Sequence, residues 1–252
     1  MNRTKIEWTQ FTWNPISGCT RNCKDTNGRP YCYANRMAYR LRGRAGYPQD
    51  YPFAPTLHMD RLTEPQQVKR PSLIFTCSMG ELFDPTIIDG HPDWYRAVWD
   101  AMAAAPQHTY QILTKQPGIA HSFFLETIPV WLGTSIDGTR DVHRALAYTA
   151  AFSARLRFLS FEPLLAPIAE RIPKKIGWVI IGAQTGPGAT PPKAEWVQDL
   201  IDKARRIDAA VFLKDNLHWP ETVKEFPETR ESRHPAPLRR QAAFRAVRAL
   251  GV

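Results

Sequence analysis

Residues 72–81, Ser72-Leu73-Ile74-Phe75-Thr76-Cys77-Ser78-Met79-Gly80-Glu81, read as a short apolar strand that ends on a polar, glycine-containing turn. The pattern recurs along the chain. Apolar runs at Thr109–Leu113, Val130–Gly133, Leu156–Ser160, Trp178–Gly182 and Ala210–Leu213 have strand length and composition, and an earlier run, Phe11–Ile16, leads into Cys19. Longer stretches between them have helical character, among them Trp94–Ala105, Val142–Ser153 and Glu195–Arg206. Strands and helices alternating at roughly 25–35 residue spacing predict βα units and a parallel sheet, an α/β fold.

The strand endings choose between a barrel and a doubly wound sheet. After Ser78-Met79-Gly80-Glu81 come Thr114-Lys115-Gln116, Thr134-Ser135-Ile136-Asp137, Phe161-Glu162-Pro163, Ala183-Gln184-Thr185-Gly186 and Lys214-Asp215-Asn216. Each ending alone is weak, since loops are commonly polar. Spread over six of the seven strands, they fit one shared mouth better than a single crevice, because barrel strands converge at their C-terminal ends. The predicted fold is an open, partial TIM-like (βα) barrel of about six or seven parallel strands over residues 1–218. Residues 41–70 form an irregular excursion within it, and 219–252 a basic C-terminal appendage. No G-x-G-x-x-G and no Walker lysine occurs, so Gly182 and Gly186-Pro187-Gly188 do not make a nucleotide-binding fingerprint.

The 252 residues carry a formal charge of +9, concentrated in two places. Lys24, Arg29, Arg36, Arg40 and Arg42 lie between Arg21 and Arg44 against the single acid Asp25. Arg230, Arg233, Arg239, Arg240, Arg245 and Arg248 follow Thr229 against the single acid Glu231. Such patches suit a polyanion, nucleic acid first, or are simply a solvated basic face. No apolar run approaches the ~18–20 residues that span a bilayer, and no apolar segment follows Met1–Trp8. The expectation is a cytoplasmic protein with no membrane partner, where clustered cysteines favour metal or redox chemistry over disulfides.

Cys19 and Cys23 are separated by three residues, and Cys32 follows after eight more. Thiolates bind soft metals and iron–sulfur clusters. Three of them on a four-iron cluster leave one iron open, whereas a structural zinc normally closes its tetrahedron with a fourth Cys or His. No His lies between Cys19 and Cys32, and the first downstream is His58. The fourth cysteine, Cys77, reads as a buried strand-end thiol or a distant fourth ligand.

The stretch Trp13-Asn14-Pro15-Ile16-Ser17-Gly18-Cys19, continuing to Tyr31-Cys32-Tyr33-Ala34, resembles the radical S-adenosylmethionine (SAM) superfamily. More closely it is similar to phage and bacterial proteins related to the spore photoproduct lyase branch. The resemblance runs on through Ser78–Phe83, Leu113–Lys115, Trp131–Gly133, Phe158–Leu165 and Gly186–Ala189, and spans roughly residues 8–218. It departs from the superfamily motif in one place. Cysteines there are spaced by three and then two residues, and here Lys24–Arg29 act as six additional residues before Pro30-Tyr31-Cys32. A loop can absorb them at small entropic cost, and Asn27-Gly28 is a good turn for the detour.

The resemblance implies a [4Fe–4S] cluster on Cys19, Cys23 and Cys32, with SAM as second cofactor and an electron donor such as flavodoxin or ferredoxin. Tyr31 would lie near the adenine. Ser78, Gly80 and Glu81 would approach the methionyl amine, and Lys115, Ser135 and Asp137 the carboxylate or ribose, or serve the scaffold. Glu162 is either a cofactor or substrate ligand or part of a buried ion pair with Arg157 or Lys214. Gln184, Lys214 and Asn216 are substrate-side candidates. Cys77 is the spare thiol for a hydrogen-atom relay. The chemistry expected is a radical SAM reaction on a substrate that the basic surface suggests is nucleic acid. The alternative is a non-catalytic, zinc-stabilised nucleic-acid binder.

Overall fold

A computed structural model describes residues 1–21, 23–123 and 128–227. In chain order its elements are β1 (Asn2–Arg3), β2 (Phe11–Trp13), β3 (Ile16–Ser17), α1 (Tyr33–Arg40), β4 (Thr56–Leu57), α2 (Glu64–Gln67), β5 (Leu73–Thr76), α3 (Pro85–Gly90), α4 (Pro92–Ala103), β6 (Thr109–Thr114), α5 (Pro117–Ala120), β7 (Val130–Ser135), α6 (Val142–Ala151), β8 (Leu156–Phe161), β9 (Trp178–Ile181), α7 (Ala194–Arg205) and β10 (Ala210–Leu213). Eight strands form one sheet in the order β1-β2-β5-β6-β7-β8-β9-β10, and β3 pairs with β4 in a separate antiparallel ribbon. Within the large sheet only β1–β2 is antiparallel. The other six ladders are parallel, so β2 and β5 to β10 make seven parallel strands that follow one another in sequence order. No strand-order reversal creates a switch-point crevice.

Two sequence expectations shift for physical reasons. The run Phe11–Ile16 is broken at Asn14-Pro15 into β2 and β3, because proline has no N–H to give the ladder. The segment between β8 and β9 contains no helix, although Ile168, Ile172 and Ile176 recur at helical spacing and are buried. Pro163, Pro167 and Pro173 interrupt that stretch, so it covers the sheet as an irregular strap.

The strands alternate in the side chains they send to either face, as a pleated strand must. Ile74, Tyr110 and Leu132 join the core with α3 and α4, and Leu159, Val179 and Val211 join the core with α6 and α7. The opposite face carries Phe75, Trp131, Phe158, Trp178 and Phe212, gathered with Trp8. Trp8 lies 4.7 Å from the ring of Phe75 on β5 and 6.1 Å from Trp178 on β9. In a flat sheet those strands, four spacings apart, would stand about 19 Å from each other. The sheet is therefore strongly curved, with the aromatic face concave and Trp8 plugged into it. Among the described residues no ladder joins β10 to β1 or β2. The N-terminal segment instead bridges the gap, where Glu7 pairs with Lys224 and accepts from Asp215 N at 3.1 Å. The outer edge of β10 is covered in turn: Leu213 N donates to Val223 O at 2.8 Å and Glu225 N to Val211 O at 3.0 Å. Residues 219–227, placed in the appendage by sequence, thus pack on the sheet, while the arginines from 230 onward lie outside the described residues. No helix among the described residues is long and apolar enough to cross a membrane.

The β3–β4 ribbon is pinned by Ser17 Oγ, 2.7 Å from His58 Nε2, both buried. Burial, with the Arg61 charge, lowers the His58 pKa from 6.5 to about 4. Below pH 6.5 the unfolded chain therefore takes up a proton that the folded chain refuses until about pH 4. Thermal melting is expected to fall as pH drops through this window and to level off beneath it, and His58→Gln should flatten that slope. An unchanged slope in the variant would remove His58 as its origin.

Candidate functional site

At the C-terminal ends of the parallel strands a cavity of about 400 Å³ opens between the sheet, the cysteine loop and the start of α1. That size falls within the range of small-molecule sites. Of the residues given a metal, cofactor or substrate role from sequence, all but Asp137 and Asn216 line it.

The cysteine loop is fixed by backbone. Gly18 has φ +87, and a side chain there would strike Ala54 O, so only glycine lets the chain turn from β3 into Cys19. Gly18 N donates to Met79 O at 2.9 Å and Gly18 O accepts from Glu81 N at 3.1 Å. A Cβ on Gly80 would lie 2.8 Å from Gly18 O. The contact of the two loops thus calls for glycine at 80, which also borders the cavity. Asp84, fully buried, accepts from Thr20 N at 2.7 Å and Thr20 Oγ1 at 2.8 Å with one oxygen, and caps α3 through Thr86 N with the other. Sequence reading passed over this residue, although Asp84-Pro85 is a helix-start signature.

The six-residue insertion closes on itself. Lys24 and Pro30 face each other as an antiparallel bridge, and Tyr31 N donates to Cys23 O at 3.2 Å. Asp25 Oδ1 accepts from Asn27 N and Arg29 N, both at 2.9 Å, while Oδ2 pairs with Arg29 Nε at 3.0 Å. The Arg29 and Asn27 bonds hold the Asp25 carboxyl below its ordinary range. Lys24–Arg29 is therefore a looped-out hairpin, and Cys23 meets Pro30-Tyr31-Cys32 nearly as if the six residues were absent.

All three cysteines of the loop border the cavity. Cys19 Sγ accepts from Arg21 N at 3.2 Å, and Cys32 Sγ caps α1 by accepting from Asn35 N at 3.5 Å. Burial pushes the Cys19 thiol up to about 12 and raises that of Cys32. Ligation would have to displace these protons, as thiol coordination does. Among the described residues no three Cys, His, Asp or Glu side chains converge as one ion requires. A four-iron cluster places each thiolate on a different iron and needs no such convergence.

Beside the cysteine loop, Glu81 is buried and held on both oxygens. Oε1 accepts from Thr114 Oγ1 at 2.8 Å and Phe83 N at 3.1 Å, and Oε2 from Lys115 N at 2.8 Å. Burial raises its pKa against those bonds. Lys115 Nζ lies 2.8 Å from Ser135 Oγ and 3.3 Å from the Tyr31 hydroxyl. Tyr31 donates to Asp137 Oδ2 at 2.7 Å. Asp137 thus stands behind Tyr31, outside the cavity. Burial opposes its ionisation, but bonds from Thr139 and Tyr31, with Lys115 nearby, outweigh that and hold its pKa low. Ser78 Oγ donates to Asn14 Oδ1 at 3.2 Å. Farther round, Lys214 Nζ is 2.5 Å from Glu162 Oε1, which answers the open question of that carboxylate's partner. Arg157 points elsewhere, its Nε donating to Phe152 O. Asn216 spends both ends of its amide on the backbone of Ala183, at 3.0 Å each, and does not line the cavity.

With this geometry in view, comparison with known proteins matches residues 3–242 to the profile of DUF5131, a protein family of unknown function. The chain belongs to the DUF5131 family. No curated protein and no solved structure matches it.

The cavity of this DUF5131 protein also holds polar atoms that sequence reading missed. Trp8 Nε1, Arg21 Nε and Ser160 Oγ are buried, belong to cavity-lining residues and find no hydrogen-bond partner among the described residues. Buried polar groups are seldom left so, and these three lie on residues that border the cavity. Arg21 crosses from the cysteine loop to donate to Lys115 O, joining the cysteine wall to the Glu81 wall. The side chains lining the cavity include four thiols, two carboxylates and two lysines, a donor set that suits a cluster and an adjoining zwitterion.

Proposed function

We propose that this protein is a radical SAM enzyme on an open, partial (βα) barrel, with a [4Fe–4S] cluster on Cys19, Cys23 and Cys32 and SAM in the adjoining cavity. The observation that carries this reading is the hairpin pinched at Lys24–Pro30, which leaves three cysteines bordering one cavity despite their long spacing. When bound, the two cofactors supply a 5′-deoxyadenosyl radical and methionine, through one-electron cleavage of the S–C5′ bond by the reduced cluster. The electron comes from a flavodoxin- or ferredoxin-type donor, and a reducing cytoplasm is the compartment we propose.

The chain's own residues bind and orient. Glu81, locked by Thr114 and Lys115, presents a fixed carboxylate toward a cationic amine. Tyr31, braced by Asp137 and Lys115, offers a positioned ring. Trp8 and Phe75 close the floor against water. Cys77 borders the cavity, and burial raises its thiol to about 12, so at neutral pH it is an intact S–H, the form a hydrogen-atom donor needs. Glu162–Lys214 faces the substrate side.

Anaerobic reconstitution with iron and sulfide tests the reading. The expected result is a four-iron EPR signal on reduction, perturbed by SAM, and formation of 5′-deoxyadenosine. Stoichiometric zinc with no competent cluster would overturn it in favour of a zinc-stabilised binding protein.

A further inference from the structure

The basic segment around α1 has no part in the cofactor chemistry, yet it borders the same cavity. Tyr33, Arg36, Met37 and Arg40 fall at i, i+3, i+4 and i+7 and are all exposed. Ala34 and Ala38 turn the other way and pack on Tyr47 and Phe53. The outward stripe is therefore fixed by burial of the inward one. Tyr33 lines the cavity and its hydroxyl donates to Ser78 O at 2.6 Å, so the stripe begins at the mouth. Arg36 reaches the turn after β9, its Nη2 standing 3.2 Å from where a Cβ on Gly186 would be. Arg29 donates to Gly188 O at 3.0 Å in the same turn.

Two chemistries coincide on this surface. Lys24, Arg36, Arg40, Arg42 and Arg44 are exposed, and none has a carboxylate within ion-pair distance among the described residues; Asp25, the local acid, is taken by Arg29. Tyr33 and Tyr39 are about half exposed between them, Arg42 lies over the Tyr39 ring at 5.4 Å, and Tyr51 on the neighbouring loop is 77% exposed. A small anion needs no aromatic platform, and an apolar partner needs no run of guanidinium groups without facing carboxylates. Phosphates at regular intervals with bases between them match both, because every base offers a π-face and every linkage a charge.

We propose that the exposed surface of α1, the stripe from Arg40 through Arg36 to Tyr33 with Tyr39 flanking it, is a docking surface for single-stranded nucleic acid that leads the strand to the cavity mouth. It rests on the proposed enzymatic reading only for what would follow at the cavity; the binding itself does not.

Fluorescence anisotropy on the full, reconstituted chain tests it, with a labelled single-stranded DNA about 12 nucleotides long and the duplex of the same sequence, without SAM or reductant. The wild type is expected to prefer the single strand. Arg36→Glu/Arg40→Glu should weaken binding at least tenfold and reduce the log–log salt slope by about 1.4, the share of two phosphate contacts. Arg36→Lys/Arg40→Lys should retain binding. Tyr39→Ala should weaken it about fivefold or more with the salt slope unchanged. Preference for the duplex, or binding untouched by Arg36→Glu/Arg40→Glu or by Tyr39→Ala, would overturn the proposal, the former variant's indifference assigning binding to another basic segment. A far-UV circular dichroism spectrum and melting temperature matching wild type show that each variant is folded. A wild type that forms 5′-deoxyadenosine but does not bind the single strand sinks this inference alone, and one that binds the strand without forming 5′-deoxyadenosine sinks only the enzymatic reading.

Discussion

Cys32→Ser is expected to abolish the four-iron signal and 5′-deoxyadenosine formation while leaving the melting temperature nearly unchanged. The separation of the two readouts follows from the double use of Cys32. Its sulfur caps α1 by accepting from Asn35 N, and it is a candidate ligand at the cavity. Serine is among the best helix caps, so its hydroxyl replaces the first role. It cannot replace a thiolate on iron. Loss of a ligand's outer partner typically costs about 10- to 100-fold, so loss of the ligand itself should exceed about 100-fold. Cys19→Ser and Cys23→Ser should behave alike, since each thiolate would serve a different iron. Cys77→Ala should keep the cluster, because Cys77 lies beyond the loop at the end of β5. A Cys32→Ser protein that still reconstitutes a SAM-responsive cluster would dismiss the ligand set. Failure of Cys77→Ala to hold a cluster would promote that residue to fourth ligand.

Much of this site is legible from sequence because it hangs on strand ends, and strands announce themselves as apolar runs. Ser78, Lys115, Ser135, Glu162 and Gln184 come to one cavity once each run is placed in a parallel sheet. Alternation would also have decided between Arg157 and Lys214: position 157 on β8 points away from the concave face, with Leu159 and Phe161, while Lys214 follows the end of β10. The hairpin was half visible, since Asn27-Gly28 marks a turn, but its Asp25 anchor depends on backbone donors that no spacing reveals. Trp8 and Arg21 escaped altogether. Both act across the fold, Trp8 reaching β5, β8 and β9 and Arg21 reaching Lys115, and neither sits in a periodic pattern.

Trp178→Ala is expected to destabilise the chain by about 3–5 kcal/mol, the usual cost of emptying a large buried aromatic site. Few residues are so surrounded. Trp178 is fully buried on β9, with ring centroids at 5.6 Å to Phe158, 5.7 Å to Trp131 and 6.1 Å to both Trp8 and Phe212. Phe226 closes the far side at 5.4 Å, and the indole N–H donates to Glu225 O at 2.9 Å. Neighbours from both edges of a curved sheet cannot collapse into the void together, because each is tied to its own strand. For a chain of this size the loss corresponds to a melting-point drop of roughly 10 °C. Trp178→Phe, which keeps an aromatic ring, should cost less than half as much, and Tyr51→Ala, on an exposed loop, almost nothing. Trp8 connects this cluster to the cavity floor, so the Trp178→Ala protein should also lose SAM-dependent perturbation of the cluster at temperatures well below its melting point. If its melting point instead stays within about 2 °C of wild type, the concave aromatic face is not what holds the sheet in its curve.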